Sequence, residues 1–176
     1  MKISVSGLSG CGKTTLSKYL AEVFGLEYYG ASKLIRDAAQ QRGIPLEEFL
    51  KTHDRFQLDK IVDNSTKQLC KTKEKVVVEG RLTGWFCENA DMRIWVHASL
   101  ETRARRLAKR DNLPYEEAVK KIKERDEADR KAYLKLYGID LLDLGVYDLI
   151  LDTDDDDIER MNKNAEDFIK RMLLED

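Results

Sequence analysis

The chain has 176 residues and a formal net charge of −2, which argues for one domain and against a general nucleic-acid binder, whose partner demands a basic surface. Cys11, Cys70 and Cys87 form no CxxC spacing and no even set, and His53 and His97 lack ligand-like spacing, so a reducing compartment and no zinc site are expected. No apolar run approaches a membrane span and the first strand begins at once, so neither a membrane partner nor a signal peptide is expected, and the location is read as cytoplasmic.

Lys2 to Ser6 reads as a short strand with Ile3 and Val5 buried. Gly7-Leu8-Ser9-Gly10-Cys11-Gly12-Lys13-Thr14-Thr15 follows and fits the phosphate-binding pattern G-x-x-x-x-G-K-[ST] without mismatch. Gly7, Gly10 and Gly12 permit backbone angles closed to other residues, so successive amides can curl around an anion. Lys13 supplies a point charge for the outer phosphates, and Thr14 a hydroxyl for a magnesium ion that bridges two of them. Leu16, Leu20 and Val23 then recur at helical spacing to about Phe24, with Gly25 as a stop, which sets the phosphates on a helix N-terminus.

Leu26 to Tyr29 reads as a second strand. A helix from Ser32 carries Leu34, Ile35, Ala38 and Ala39 to near Gly43, and Pro45 opens another with Leu46, Phe49 and Leu50 on one side. A longer helix shows Leu58, Ile61, Val62 and Leu69 on one face. Val76-Val77-Val78 is a buried, β-branched strand that ends in Glu79-Gly80-Arg81, and Met92 to Val96 is the fourth strand. Helices follow from about Leu100 to Arg110 and from after Pro114 to about Tyr137. Asp148 to Leu151 makes a last strand, and the closing helix spaces Ile158, Met161, Ala165, Phe168 and Met172 three and four apart. The acidic run Asp154 to Asp157 stands where that helix begins and reads as capping and dipole complementarity. The alternation predicts an α/β fold, a five-stranded parallel sheet covered by helices on both faces, with ligands gathered beyond the C-terminal strand ends.

A phosphate loop indicates a nucleotide but not a reaction, and the arginines say more. Arg103, Arg106 and Arg110 share one side of their helix, with Arg103 expected on a solvated face. Arg125 and Asp129 interrupt the inward stripe of Ile122, Ala132 and Leu136. They are either an i,i+4 ion pair or an arginine that holds an anionic ligand and the acid that orients it. With Arg36 and Arg81, these side chains could clamp two phosphorylated substrates around one crevice. Phosphoryl transfer needs little beyond positioning and neutralised charge, and a phosphate acceptor is already ionised, so no general base is required.

The chain resembles the archaeal type of cytidylate kinase, a nucleoside monophosphate kinase of the P-loop NTPase fold, over nearly all its length. The resemblance rests on Gly7 to Thr15, on Gly30-Ala31-Ser32-Lys33-Leu34-Ile35-Arg36, on Val78-Glu79-Gly80-Arg81-Leu82-Thr83-Gly84-Trp85, on Arg125-Asp126-Glu127-Ala128-Asp129-Arg130 and on Tyr147 to Thr153. It implies one kinase domain with a core of about 1–30, 74–110 and 131–176, a helical monophosphate-binding insert at about 31–73 and a short lid at about 111–130. It implies in-line transfer from ATP with Mg2+ to CMP or dCMP in pyrimidine nucleotide metabolism, and a monomer is expected. Gly7 to Thr15, with Arg106 and Arg110, would serve ATP, and Thr14 the metal. Arg36, Gly80, Arg81 and Arg125 would hold the acceptor. Lys13, Arg81, Arg125 and Arg130 would act on the transferring group, with Asp129 as base or arginine orienter. The sequence departs from the family pattern at Gly30-Ala31-Ser32, where relatives often carry Ser-Ala-Gly, at Cys11, and at Glu79, where many monophosphate kinases carry Asp beside the magnesium ion. Another small P-loop kinase, for AMP or a metabolite, shares the loop and the arginines. A regulatory GTPase needs Asn-Lys-x-Asp, and Asn162-Lys163-Asn164-Ala165 lacks the aspartate. A nucleic-acid-dependent ATPase fits poorly with the acidic balance.

Overall fold

A computed structural model describes residues 1–155 and 157–175. The chain runs β1 (Lys2–Gly7), α1 (Lys13–Val23), β2 (Glu27–Tyr29), α2 (Ala31–Gln41), α3 (Leu46–Thr52), α4 (Arg55–Thr72), β3 (Val76–Gly80), α5 (Thr83–Phe86), β4 (Met92–His97), α6 (Leu100–Asp111), α7 (Tyr115–Tyr137), β5 (Leu149–Asp152) and α8 (Ile158–Glu175). All five strands are parallel, in the order β2-β3-β1-β4-β5. The expected architecture is the observed one. Four-residue α5 adds an element where the sequence signals none, because so short a turn has no periodicity to read.

Val76, Val77 and Val78 show why the central strands are apolar throughout. Side chains alternate across a strand, yet all three are fully buried. Val77 packs with Ile3, Val5, Ile94 and Val96 under α1 and α8. Val76 and Val78 face the opposite layer, with Cys70 and Cys87. Helices cover both faces, so neither side can be polar. The insert segment has its own small core of Ala38, Ala39 and Phe49. Leu46 and Leu50, expected beside Phe49, stay 37% and 45% exposed, because α3 touches that core along one narrow line.

The helix ends follow local chemistry. The Asp54 carboxylate accepts from the Gln57 amide at 2.8 Å while the Gln57 side chain accepts from the Asp54 amide at 2.8 Å, a reciprocal cap that starts α4. In the acidic run, the Asp157 carboxylate accepts from the Arg160 amide at 2.9 Å, as a capping residue should. Asp156 of that run lies outside the described residues.

The cysteine reading, no even set and a reducing compartment, did not anticipate a bridge. Cys70, near the end of α4, is disulfide-bonded to Cys87, just after α5, with Cα atoms 5.4 Å apart. An odd total conceals a pair plus one free thiol, and a separation of 17 residues carries no local signal. The bridge ties the end of the 31–73 segment to the core beside β3. Among the described residues, no helix is long and apolar enough to cross a membrane.

The sheet register positions the site. Ser6 lies level with Gly80 on one neighbour and Trp95 on the other. The glycine loop after β1, Arg81 after β3 and the start of α6 after β4 therefore emerge along one edge.

Candidate active site

The loop turns directly from β1 into α1. Gly12 caps α1 at φ 96°, a left-handed angle that side-chain-bearing residues disfavour, and no side chain among the described residues caps the helix. Its first amides are therefore available to an anion. Gly7 is required for a different reason, close approach. A Cβ there would lie 2.6 Å from Cys11 Sγ and 2.6 Å from the Val96 carbonyl oxygen. Cys11 is buried beneath this turn, and its carbonyl accepts from Thr153 Oγ1 at 2.9 Å. A core-packing thiol is thus the reason for its departure from the usual small polar residue.

Lys13 donates to the Leu8 carbonyl at 3.1 Å. Burial holds its ammonium below the usual lysine range, and the nearby guanidiniums of Arg81 and Arg125 push the same way while Glu79 opposes. Glu79, Arg81 and Arg125 thus all lie near enough to act on Lys13. A desolvated cation beside two others favours an anion between them.

Thr14 Oγ1 donates to the Glu79 carboxylate at 2.9 Å, and the Tyr28 hydroxyl donates to its other oxygen at 2.5 Å. Glu79 is buried at the end of β3. Burial, and then Glu79, push the Tyr28 phenol well above its usual value. A cleft of about 330 Å³ opens here between Thr14, Tyr28, Ser32, Arg36 and Glu79. Arg36 donates to the Ser32 carbonyl at 3.3 Å and pairs with no carboxylate among the described residues.

Asp129 stands at the centre of the charge array. Asp129 is 3% exposed. Arg55 contacts one oxygen and Arg81 the other, and Arg125 Nε stands 3.9 Å from the oxygen that Arg81 contacts. The three guanidiniums come from separate segments: the start of α4, the end of β3 and the middle of α7. Arg125 is held below its usual value by burial and then by its two like-charged neighbours. Asp59, one turn along α4, is 3.8 Å from Arg55 and is held above its usual range by burial. The bland alternative of a surface Arg125–Asp129 pair does not describe this cluster.

The α6 arginines divide. Arg103, expected on a solvated face, is 5% exposed, and the structure overturns that reading. It makes a two-point pair with Asp126 at 3.1 and 2.7 Å and reaches the Ser9 carbonyl at 3.4 Å. It ties α7 to the glycine loop. Arg106 donates to the Gly10 carbonyl at 3.3 Å and to Thr153 Oγ1 at 3.0 Å. Beside it, Gly12, Thr15, Thr153, Ile158 and Met161 line a largely apolar cleft of about 270 Å³. Arg110 is exposed and pairs with the adjacent Asp111, and Arg130 is exposed and pairs with Asp140 at 2.8 Å. No described contact brings either to the loop. Sequence reasoning missed Arg55 altogether. The capping box just before it announces a helix start, but its partner Asp129 lies 74 residues away.

An anion cradle on a helix N-terminus, faced by converging arginines at the C-terminal edge of a 2-3-1-4-5 parallel sheet, defines a P-loop kinase. An uncharacterised protein from Eubacterium ventriosum shares this fold at TM-score 0.74 and 15% identity, over 97% of this chain and 98% of its own. A shikimate kinase from Acinetobacter baumannii does so at TM-score 0.67 and 16% identity, over 97% and 93%. A model of the cytidylate kinase-like family matches residues 2–155. The cytidylate kinase of Pyrococcus horikoshii is 48% identical over 153 residues, 86% of this chain and 79% of that one, and that of Sulfurisphaera tokodaii is 36% identical over 175 residues, 98% and 97%. The chain belongs to the cytidylate kinase-like family. Membership in a kinase family implies a nucleotide phosphoryl donor.

Proposed function

We propose that the protein transfers the γ-phosphoryl group of ATP directly to CMP, with dCMP as a second acceptor. The observation that carries this reading is the convergence of Lys13, Arg81 and Arg125 on one crevice beside the loop, close enough that each guanidinium lowers the lysine's pKa. In this reading the loop amides and Lys13 hold the donor's outer phosphates. The apolar cleft beside Arg106 takes its base. Arg36 and Arg81 hold the acceptor phosphate, and Arg125 follows the charge as it moves between them. The 31–73 segment serves as the acceptor-binding insert, and residues 111–130 close as a lid. Asp129, engaged by arginines, orients them and leaves no base to be assigned.

Thr14 Oγ1 and Glu79, hard oxygen donors 2.9 Å apart beside Lys13, fit a magnesium ion. Thr14 would ligate it and Glu79 would sit on it or on its water, and when bound it neutralises phosphate oxygens. The longer Glu79 reaches Thr14 with Tyr28 as a second anchor, which accommodates its departure from Asp. We also propose that a single chain suffices for activity.

The test is ATP-dependent phosphorylation of CMP, dCMP, UMP and AMP at equal concentration. CMP or dCMP should exceed AMP by at least about tenfold in kcat/KM, about 1.4 kcal/mol of transition-state discrimination. A better AMP than CMP rate would make the chain an adenylate kinase instead.

A further inference from the structure

The geometry points to Arg55 as a third arm of the acceptor-phosphate clamp: in the free chain its guanidinium holds Asp129, and on binding it exchanges that carboxylate for the phosphate of the acceptor nucleotide. This rests on the proposed function for the identity of the acceptor.

Four observations carry it. Arg55 and Arg81 grip different oxygens of the Asp129 carboxylate, as two separate donors grip two oxygens of a phosphate. Among the described residues the ion pairs of Arg55, Arg81 and Arg125 go to Asp129 and Asp59, three cations on two carboxylates, with Asp63 further off but near enough to feel Arg81. A structural staple between α4 and α7 would need one arginine. Three held together repel one another, and a dianion relieves that repulsion where one carboxylate only reduces it. Access is asymmetric: the Arg55 side chain is 44% exposed while the Asp129 side chain is 4% exposed, so a ligand meets the guanidinium from solvent and can draw it off the acid, which stays buried with Arg81 and Arg125. Finally, Arg81, which shares Asp129 with Arg55, is also felt by Lys13, so the clamp borders the place where the donor's phosphates would sit.

The acceptor phosphate is favoured over the donor's because Arg55 opens α4, within the 31–73 segment, while the described partners of the glycine loop come from α6, β3 and the β5–α8 turn. A purely structural role makes a different prediction. Loss of a staple would lower stability and weaken every ligand of the cleft alike.

The experiment compares CMP with cytidine, which differ by the phosphate. Equilibrium binding of each is measured to the intact protein and to Arg55→Ala and Arg55→Lys, with a thermal melt of each variant. In the wild type CMP should bind more tightly than cytidine. Arg55→Ala should weaken CMP by roughly ten- to hundredfold, the range for a lost hydrogen bond to a charged group, and leave cytidine within about twofold. Arg55→Lys should recover part of the loss, because a point charge still reaches the phosphate. In steady-state assays the KM for CMP should rise in Arg55→Ala while the KM for ATP holds. Equal weakening of CMP and cytidine, an unchanged CMP affinity, or a KM change confined to ATP would overturn the assignment. The proposed function fails separately, through absence of CMP phosphorylation by the wild type; if AMP is the better acceptor, AMP and adenosine replace CMP and cytidine in the same comparison, with the same outcomes deciding for Arg55.

Discussion

Replacing Asp129 with Asn keeps its shape and removes its charge, which makes it a direct probe of the arginine cluster. Asp129 is 3% exposed and its carboxylate sits among Arg55, Arg81 and Arg125. Removing one member of a buried ion pair costs about 3–5 kcal/mol, because the other charge is left desolvated and unpaired. Here only the Arg81 side chain is well buried, at 14% exposure, whereas those of Arg55 and Arg125 are 44% and 41% exposed and can turn to water. We therefore expect about 2 kcal/mol, below that range. For a chain of this size each kcal/mol shifts the melting temperature by about 2–4 °C, so the variant should melt roughly 4–8 °C lower. The three freed guanidiniums should then accept another anion. Inorganic phosphate should raise the melting temperature of Asp129→Asn by more than it raises that of the wild type. The assay is circular dichroism against temperature at neutral pH and low salt, with and without phosphate. A melting temperature within about 1 °C of the wild type, or equal stabilisation of both proteins by phosphate, would refute the cluster as a charge-balanced unit.

Arg125→Ala removes a guanidinium crowded by two like charges, so stability should change by under about 0.5 kcal/mol, while kcat should drop roughly 10²-fold if the arginine acts on the transferring group; near-normal kcat beside an unchanged melt would remove Arg125 from the site. Asp63 is buried, accepts from Tyr137 at 2.9 Å and is raised by burial from 3.8 to about 6. The fold thus favours its neutral form, a contribution complete below pH 3.8 and lost as pH rises through about 6. Asp63→Asn should therefore stabilise the protein by up to about 3 kcal/mol above about pH 7 and by little near pH 4, read from denaturant midpoints; an equal gain at both would disprove the linkage. Cys11 is 1% exposed, so a thiol reagent should label the native chain slowly, whereas non-reducing denaturant should expose one thiol and reduction three. Three thiols before reduction would contradict the Cys70–Cys87 bridge.

Near-neighbour chemistry was legible without coordinates. The strand-loop-helix around Gly7 to Thr15, the start of α7 after Pro114 and the inward placement of Asp129 all depend on residues within a turn or two of one another. Periods of two and 3.6 encode which face is buried, and the β-α alternation leaves a parallel sheet as the arrangement that covers every apolar strand.

The sheet, its phosphate loop and the residue types available to a phosphate were therefore set by local patterns along the chain. Which of those residues meet depended on how the elements pack. Arg103 turned inward because Asp126 of the next helix arrives beside it, and Arg106 was drawn across to Thr153. Arg110 and Arg130 found acids nearer than the site, at Asp111 and Asp140. Arg55 and Cys70 gained their roles from partners brought close by packing, not by spacing. A charge has no periodicity that points to its partner: its energy depends on distance and burial, and both exist only once the chain has folded.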